Sequence, residues 1–311
     1  MTSRVLQPHV FENPDVWIKQ INREWQFRPP LDLHGTIEPS VVEAASGHTL
    51  VVTLTVGSDL TLPTGAHITM EIPATWDAHL GNCFRRGVHT VGARDQITSG
   101  YGAWADVECS NTDVRLVSAV SWGRILDLLD VVVVEGEISF GDVVRLILGP
   151  PDGNLIQAQK YAQVAIFAVG VDLDGDYSYR RAATQPTVRV VGAYADRLRV
   201  FAPAVVAPGE PFDVRVLPVD IYSQNPATGY RGTVQMLADG VDVPAQIEID
   251  TAREPLGATI QAGVRGSGVY RITALDAASG IAGRSNPVTS GFLPGSECVY
   301  FGELHSQMWH S

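Results

Sequence analysis

Near the end of the 311-residue chain, three side chains have types and spacing that could hold a metal ion. In "CVYFGELHSQMWHS", Glu303, His305 and Gln307 alternate, so on an extended strand they share a face with Val299 and Phe301. Apolar positions first and ligating positions last is the order that the opening strand of a β/α barrel needs, because its lower positions fill the barrel and its C-terminal end carries chemistry. Gln307 can offer a carbonyl oxygen, which is neutral and a poorer ligand for zinc-like ions than imidazole. A catalytic ion needs about three protein ligands plus an open position, more than one strand supplies. His310 follows Gln307 by three residues, falls on the opposite face and is not counted.

Other constellations carry less chemistry. "WDAHLGNCFRRGVHT" holds His79, Cys83 and His89, with Cys109 further on, and matches none of the compact Cys/His pairs of structural zinc sites. "VDLDGDYSY" places Asp172, Asp174 and Asp176 at calcium-like spacing, but the positions where an EF-hand loop requires Gly and Glu hold Tyr177 and Ala183. A solvated turn between strands is expected there. Trp76, Tyr101, Trp104 and Trp122 lie in an irregular section, 74–124, and could form a sugar-stacking or docking platform, although most Trp residues in a sandwich pack the core. There is no Gly-rich phosphate loop and no Gly-x-Ser-x-Gly elbow.

The elements that would position these residues are mostly strands. "NPDVWIKQINREWQF" alone has helical spacing, with Val16, Ile18, Ile21 and Trp25 on one side, and "RPP" stops it; a short helix within residues 1–30 is expected. Beyond it the period becomes two. Leu50, Val52, Leu54 and Val56 share a face in "HTLVVTLTV", as do Ile68, Met70 and Ile72 in "HITMEIP". With the β-branched runs "LLDVVVVEGEI", "DVVRLILGP" and "YAQVAIFAVGVD", these predict a β-sandwich over 31–193. After the turn "APGEP", the strands "FDVRVLPVD", "YRGTVQML" and "GVYRITALD" have the size and pattern of an immunoglobulin-like sandwich over 194–290, without the Cys and Trp signature of antibody domains. Residues 291–311 read as a linker and one orphan strand. The predicted fold class is all-β, with two β-sandwich domains.

Composition narrows the function classes. With 45% hydrophobic and 18% charged residues, 30 Gly and 19 Pro, the chain reads as globular and turn-rich. A net charge of -12 without a Lys/Arg block argues against nucleic acid as a partner. The longest apolar run, "VAIFAVGV", falls well short of the ~20 residues that span a bilayer, and the N-terminus lacks an apolar signal region. Three cysteines, Cys83, Cys109 and Cys298, are too few for a disulfide framework and fit a reducing compartment; the expected location is cytoplasmic, with no membrane partner.

"APGEPFDVRV", "YRGTV", "GVYRITALD" and "SNPV", followed by "YFGELHSQ", resemble a group of bacterial proteins in which β-sandwich modules precede a metallohydrolase domain similar to the PHP (polymerase and histidinol phosphatase) superfamily. The resemblance covers residues 195–311 and, more loosely, 1–194. It implies that His305 stands at the first position of a His-x-His metal motif, with Gln307 at the second and Glu303 where an Asp is common. It further implies hydrolysis by a metal-bound hydroxide, with Zn, Mn or Fe completed by ligands from a missing C-terminal catalytic domain. The sandwiches would then be its non-catalytic accessory region. The alternative is a self-contained β-sandwich module that binds a small-molecule, carbohydrate or protein ligand.

Overall fold

The computed structural model describes residues 25, 27–73, 75–76, 88–91, 105–122, 127–149, 155–222 and 224–291. Regular structure among them is all β, twenty-six strands with no helix. The helix expected within 1–30 and the terminal strand lie outside the described residues. The chain divides into two compact units, Met1–Ala193 and Tyr194–Ser311.

In the first unit ten strands form one sheet, in the order Val88–Val91, Arg115–Trp122, Asp127–Glu135, His67–Ile72, Val169–Asp172, Arg180–Thr184, Leu31–Glu38, Leu50–Val56, Val143–Leu148, Ala105–Cys109. Its neighbours run antiparallel, except that Leu31–Glu38 lies parallel to Arg180–Thr184, with Leu31 opposite Ala182. Side-chain alternation then decides the packing. Leu33, Val52, Leu54 and Leu146 from one half of the sheet share a buried cluster with Ile68, Met70, Leu129, Val131 and Val169 from the other. One core facing both halves requires the sheet to fold over on itself as a sandwich. A small sheet, Gln163–Ile166, Thr187–Val191 and Val41–Glu43, adds Ala165, Val188, Val190 and Val42 to that core. Val164 and Ile166 point the other way and are exposed.

The second unit is an immunoglobulin-like sandwich. Arg197–Phe201, Pro211–Val219, Ala258–Val264 and Val241–Asp242 form one four-stranded sheet. Gln246–Asp250, Arg231–Ala238, Ile272–Leu275 and Ala282–Arg284 form the other. Val200, Val214, Val216 and Ala262 of the first meet Val234, Met236, Ile249, Ile272 and Ala274 of the second in one buried cluster. Three short strands, Val205–Val206, Val288–Ser290 and Gly268–Tyr270, flank them. At one corner the two sheets meet so closely that a Cβ on Gly283 would run into the Leu198 carbonyl. Glycine is required there by proximity.

One half of the large sheet in the first unit is covered on both faces. On strand His67–Ile72 the residues Ile68, Met70 and Ile72 face the main core, while His67 and Thr69 are buried on the reverse face. There His67 Nδ1 lies 2.9 Å from Asp130 Oδ2, and the Thr69 hydroxyl donates to Asp130 Oδ1 at 2.5 Å. Trp25, Leu128 and Tyr179 pack as a separate small cluster. Burial pushes the Tyr179 phenol far above its usual range, with the nearby Asp130 charge adding to it. Removing the carboxylate takes away buried hydrogen bonds to His67 and Thr69, so Asp130→Ala is expected to cost about 2 kcal/mol. A lowered urea midpoint for the first unit, with the second unit unchanged, would be the measured result.

Candidate functional site

Period-two alternation fixes what the second unit shows to solvent. Val234 and Met236 point into the core, so Arg231, Thr233, Gln235 and Leu237 point out. Pairing then brings outward side chains of four strands into rows. Gln235 sits opposite Gln246 on one side and Leu275 on the other. Leu237 sits opposite Thr273, which itself sits opposite Arg284. From Arg231 to Leu237 this face runs roughly 20 Å, at about 3.3 Å per residue.

Two open grooves lie along that face. The first, of about 690 Å³, is lined among others by Tyr194, Arg231, Gln235, Gln246, Asp276 and Ile281. Its wall is a hydrogen-bonded knot. The Asp276 carboxylate accepts from the Tyr230 hydroxyl at 2.8 Å, the Ser279 hydroxyl at 2.7 Å and the Ala278 amide at 2.9 Å. Gly232 leaves room for it, since a Cβ there would come within 2.6 Å of the Tyr230 oxygen. Tyr194 is 68% exposed, which leaves its ring available to a ligand. Among the described residues, the side chains of Arg231, Gln235 and Gln246 have no hydrogen-bond or ion-pair partner. The second groove, of about 730 Å³, is lined by Leu237, Asp239, Val269, Tyr270, Arg271, Thr273 and Arg284, among others. Arg271 donates to the Ser285 carbonyl at 2.8 Å. Arg284 has no partner among the described residues. Amides, guanidiniums and hydroxyls on an open surface equip this face for recognition by hydrogen bonding.

The residues singled out from sequence fall elsewhere. Glu303, His305 and Gln307, like Tyr101 and Trp104, lie outside the described residues, as do His79 and Cys83. Trp122 ends strand Arg115–Trp122, its backbone opposite Asp127. Trp76 is a correction to the docking platform: it is 2% exposed, and its ring packs edge-on against Phe167 at 5.2 Å, so it belongs to the core. The segment after Asp172 is, as expected, a turn between strands with Asp174 and Asp176 exposed, while Asp172 at its start is enclosed. Asp172 is fully buried and its carboxylate accepts the amides of Asp174, Gly175 and Tyr177, so it shapes its own loop. No cluster of three or more His, Cys, Asp or Glu side chains suited to a metal occurs among the described residues. No helix among them is long and apolar enough to cross a membrane. Cys109 is half-buried, and burial raises its thiol pKa. The sequence shows "YRGTVQML" and "GVYRITALD" as strands but does not show Gln235, Gln246 and Arg284 as neighbours. The available signal was the polar half of each alternation; the pairing that aligns those halves is long-range.

No protein-family model and no curated protein matches the chain. Several solved structures of β-rich proteins align with it. The Yersinia pseudotuberculosis adhesin InvE is 14% identical, with 84% of this chain and 59% of that one covered and a TM-score of 0.26. InvD of the same organism is 13% identical, covering 86% and 61%, with a TM-score of 0.31. The Escherichia coli adhesin FdeC is 15% identical, covering 85% and 65%, with a TM-score of 0.29. The chain thus spans less than two thirds of the length of each of these three. At such scores the arrangements do not superimpose, and nothing functional passes from those proteins to this one. What the fold itself defines is a two-unit β-sandwich protein whose second unit is immunoglobulin-like.

The knot beside the first groove has a pH signature. The Ser279 hydroxyl, followed by the Tyr230 hydroxyl and the Ala278 and Ser279 amides, holds the Asp276 carboxyl below its ordinary range against the opposing effect of burial. A lowered folded pKa contributes stability that is present above the unfolded carboxyl pKa of about 3.9 and is lost as pH falls through the folded value. In Ser279→Ala the shift shrinks, so the second unit should lose less of its stability between neutral pH and strong acid than the parent does. Thermal melts at a series of pH values would read that difference.

Proposed function

We propose that this chain is a non-catalytic binding protein and that the outer face of the Gln246–Asp250, Arg231–Ala238, Ile272–Leu275, Ala282–Arg284 sheet is its ligand surface, taking a carbohydrate. The observation that carries this reading is the pair of unpartnered amides, Gln235 and Gln246, held side by side by strand register in the same groove as the exposed ring of Tyr194. An amide offers both a donor and an acceptor, as a sugar hydroxyl does, and an aromatic ring gives a sugar's apolar face a surface to lie on. Grooves this open supply no deep pocket for the buried anchor side chains that dominate protein interfaces, which favours the carbohydrate over a protein ligand. The groups on show, with a carboxylate already saturated by its own neighbours, support binding rather than bond cleavage.

Affinity electrophoresis through gels containing soluble polysaccharides tests it. Retardation of the parent chain is expected, with Tyr194→Ala and the double variant Gln235→Ala/Gln246→Ala each weakening it by about tenfold, the equivalent of 1.4 kcal/mol. Unchanged retardation in both variants, with folding verified by circular dichroism, would remove the face from consideration.

A second reading is that the two sandwiches are the accessory region of a larger PHP-like metallohydrolase. The residues "YFGELHSQ" support it, with His305 and Gln307 as two ligands of a divalent ion and later residues supplying the rest. Sequencing of the gene past codon 311 decides this: a continuing frame rich in His and Asp is expected, and a stop codon there counts against it.

A further inference from the structure

The two grooves on the outer face differ in charge, and the difference specifies the ligand further. Building on the reading of that face as a carbohydrate surface, we infer that the second groove selects an anionic saccharide, one bearing carboxylate or sulfate groups, through Arg271 and Arg284.

Both guanidiniums are placed by the fold. Gly268–Tyr270 belongs to one sheet and Ile272–Leu275 to another, so the chain changes sheets at Arg271. Its side chain is exposed, and the bond to the Ser285 carbonyl fixes one nitrogen while the others remain available. Arg284 stands beside Thr273 in the outward row, because Gly283 next to it is turned inward against Leu198. Asp239 is the one carboxylate among the groove's lining residues, facing two arginines. A chain of net charge -12 keeps most anions at a distance, whereas a groove with an excess of guanidinium favours an anion locally. Arginine also presents a planar fork of donors that fits carboxylate and sulfate oxygens.

The first groove gives the saccharide its neutral half. Gln235 and Leu237 are two residues apart on one strand, so the amide-lined groove and the arginine-lined groove follow one another along it. An acidic peptide would be drawn to the same charge, but although Ala282–Arg284 is an edge strand, its guanidinium stands on the outer face and not in the plane where a peptide would add to that edge. An extended peptide gains most of its affinity from such an edge. Hydroxyl-rich rings carrying an acidic group match the amides and aromatic ring of the first groove and the guanidiniums of the second.

The test uses the full chain in affinity gels containing a neutral glucan, polygalacturonate, dextran sulfate or polyglutamate, at low and at physiological salt. Retardation by polygalacturonate or dextran sulfate about tenfold stronger than by the glucan, weakened by salt and abolished in Arg284→Glu, is the expected result. Which of the two acidic polymers is preferred separates a carboxylate ligand from a sulfate one. Equal retardation by glucan and acidic polymers, unaffected by Arg284→Glu, would overturn the inference and leave the carbohydrate face intact. Retardation by polyglutamate alone, or by no polymer at all, would overturn both. Arg284 has no partner among the described residues, so its substitution is expected to leave the melting temperature unchanged, which keeps a loss of binding interpretable.

Discussion

Steric contact at a single backbone point governs the second unit. Where Gly283 meets the Leu198 carbonyl, one sheet closes on the other with no side chain between them, and the outward positions of strand Ala282–Arg284 follow from that contact. Because strand periodicity is two, turning Gly283 inward turns Ala282 and Arg284 outward, beside Leu275 and Thr273. The face with its grooves is therefore the obligatory reverse of the packed core, and its composition could vary widely without loss of the sandwich. That it holds amides, arginines and an exposed tyrosine is a property of the sequence beyond what folding demands.

The first unit spends its polar residues differently. His67, Thr69 and Asp130 are enclosed and satisfy one another, and Asp172 turns its carboxylate back onto its own loop. Such groups are committed to structure: a carboxylate saturated by close donors has little left for a ligand. Asp276 in the second unit behaves likewise, holding the Tyr230 and Ser279 hydroxyls in place as a wall. The division of labour is physical, with enclosed acids organising backbone and exposed amides and guanidiniums left for recognition.

Alternation made most of the architecture legible. Leu50 to Val56 and Ile68 to Ile72 announce strands and their inner faces, and "APGEP" marks the turn before a long strand of the second unit. What alternation cannot say is whether the polar face of a strand is wet. His67 and Thr69 read as solvent-facing, but the reverse face of their strand is covered, a contact between segments far apart in sequence. The same limit concealed the candidate site. Gln235 and Gln246 are separated by the turn around Gly240, and Arg284 by a further stretch of chain, and only register joins them. Trp76 illustrates the converse, an aromatic in an irregular stretch that the core absorbs.

The parallel pairing of Leu31–Glu38 with Arg180–Thr184 has a consequence for biosynthesis. His34 bonds across to Thr184, a partner 150 residues later, so strand Leu31–Glu38 can pair with Leu50–Val56 early in synthesis while its other edge stays unmatched until Arg180–Thr184 has left the ribosome. At about 5–20 residues per second that wait lasts on the order of ten seconds or more, during which the open edge presents unpaired backbone groups. In the second unit the bonded pair Ala202 and Asn286 lie 84 residues apart, so its closing strand waits for a shorter span of chain.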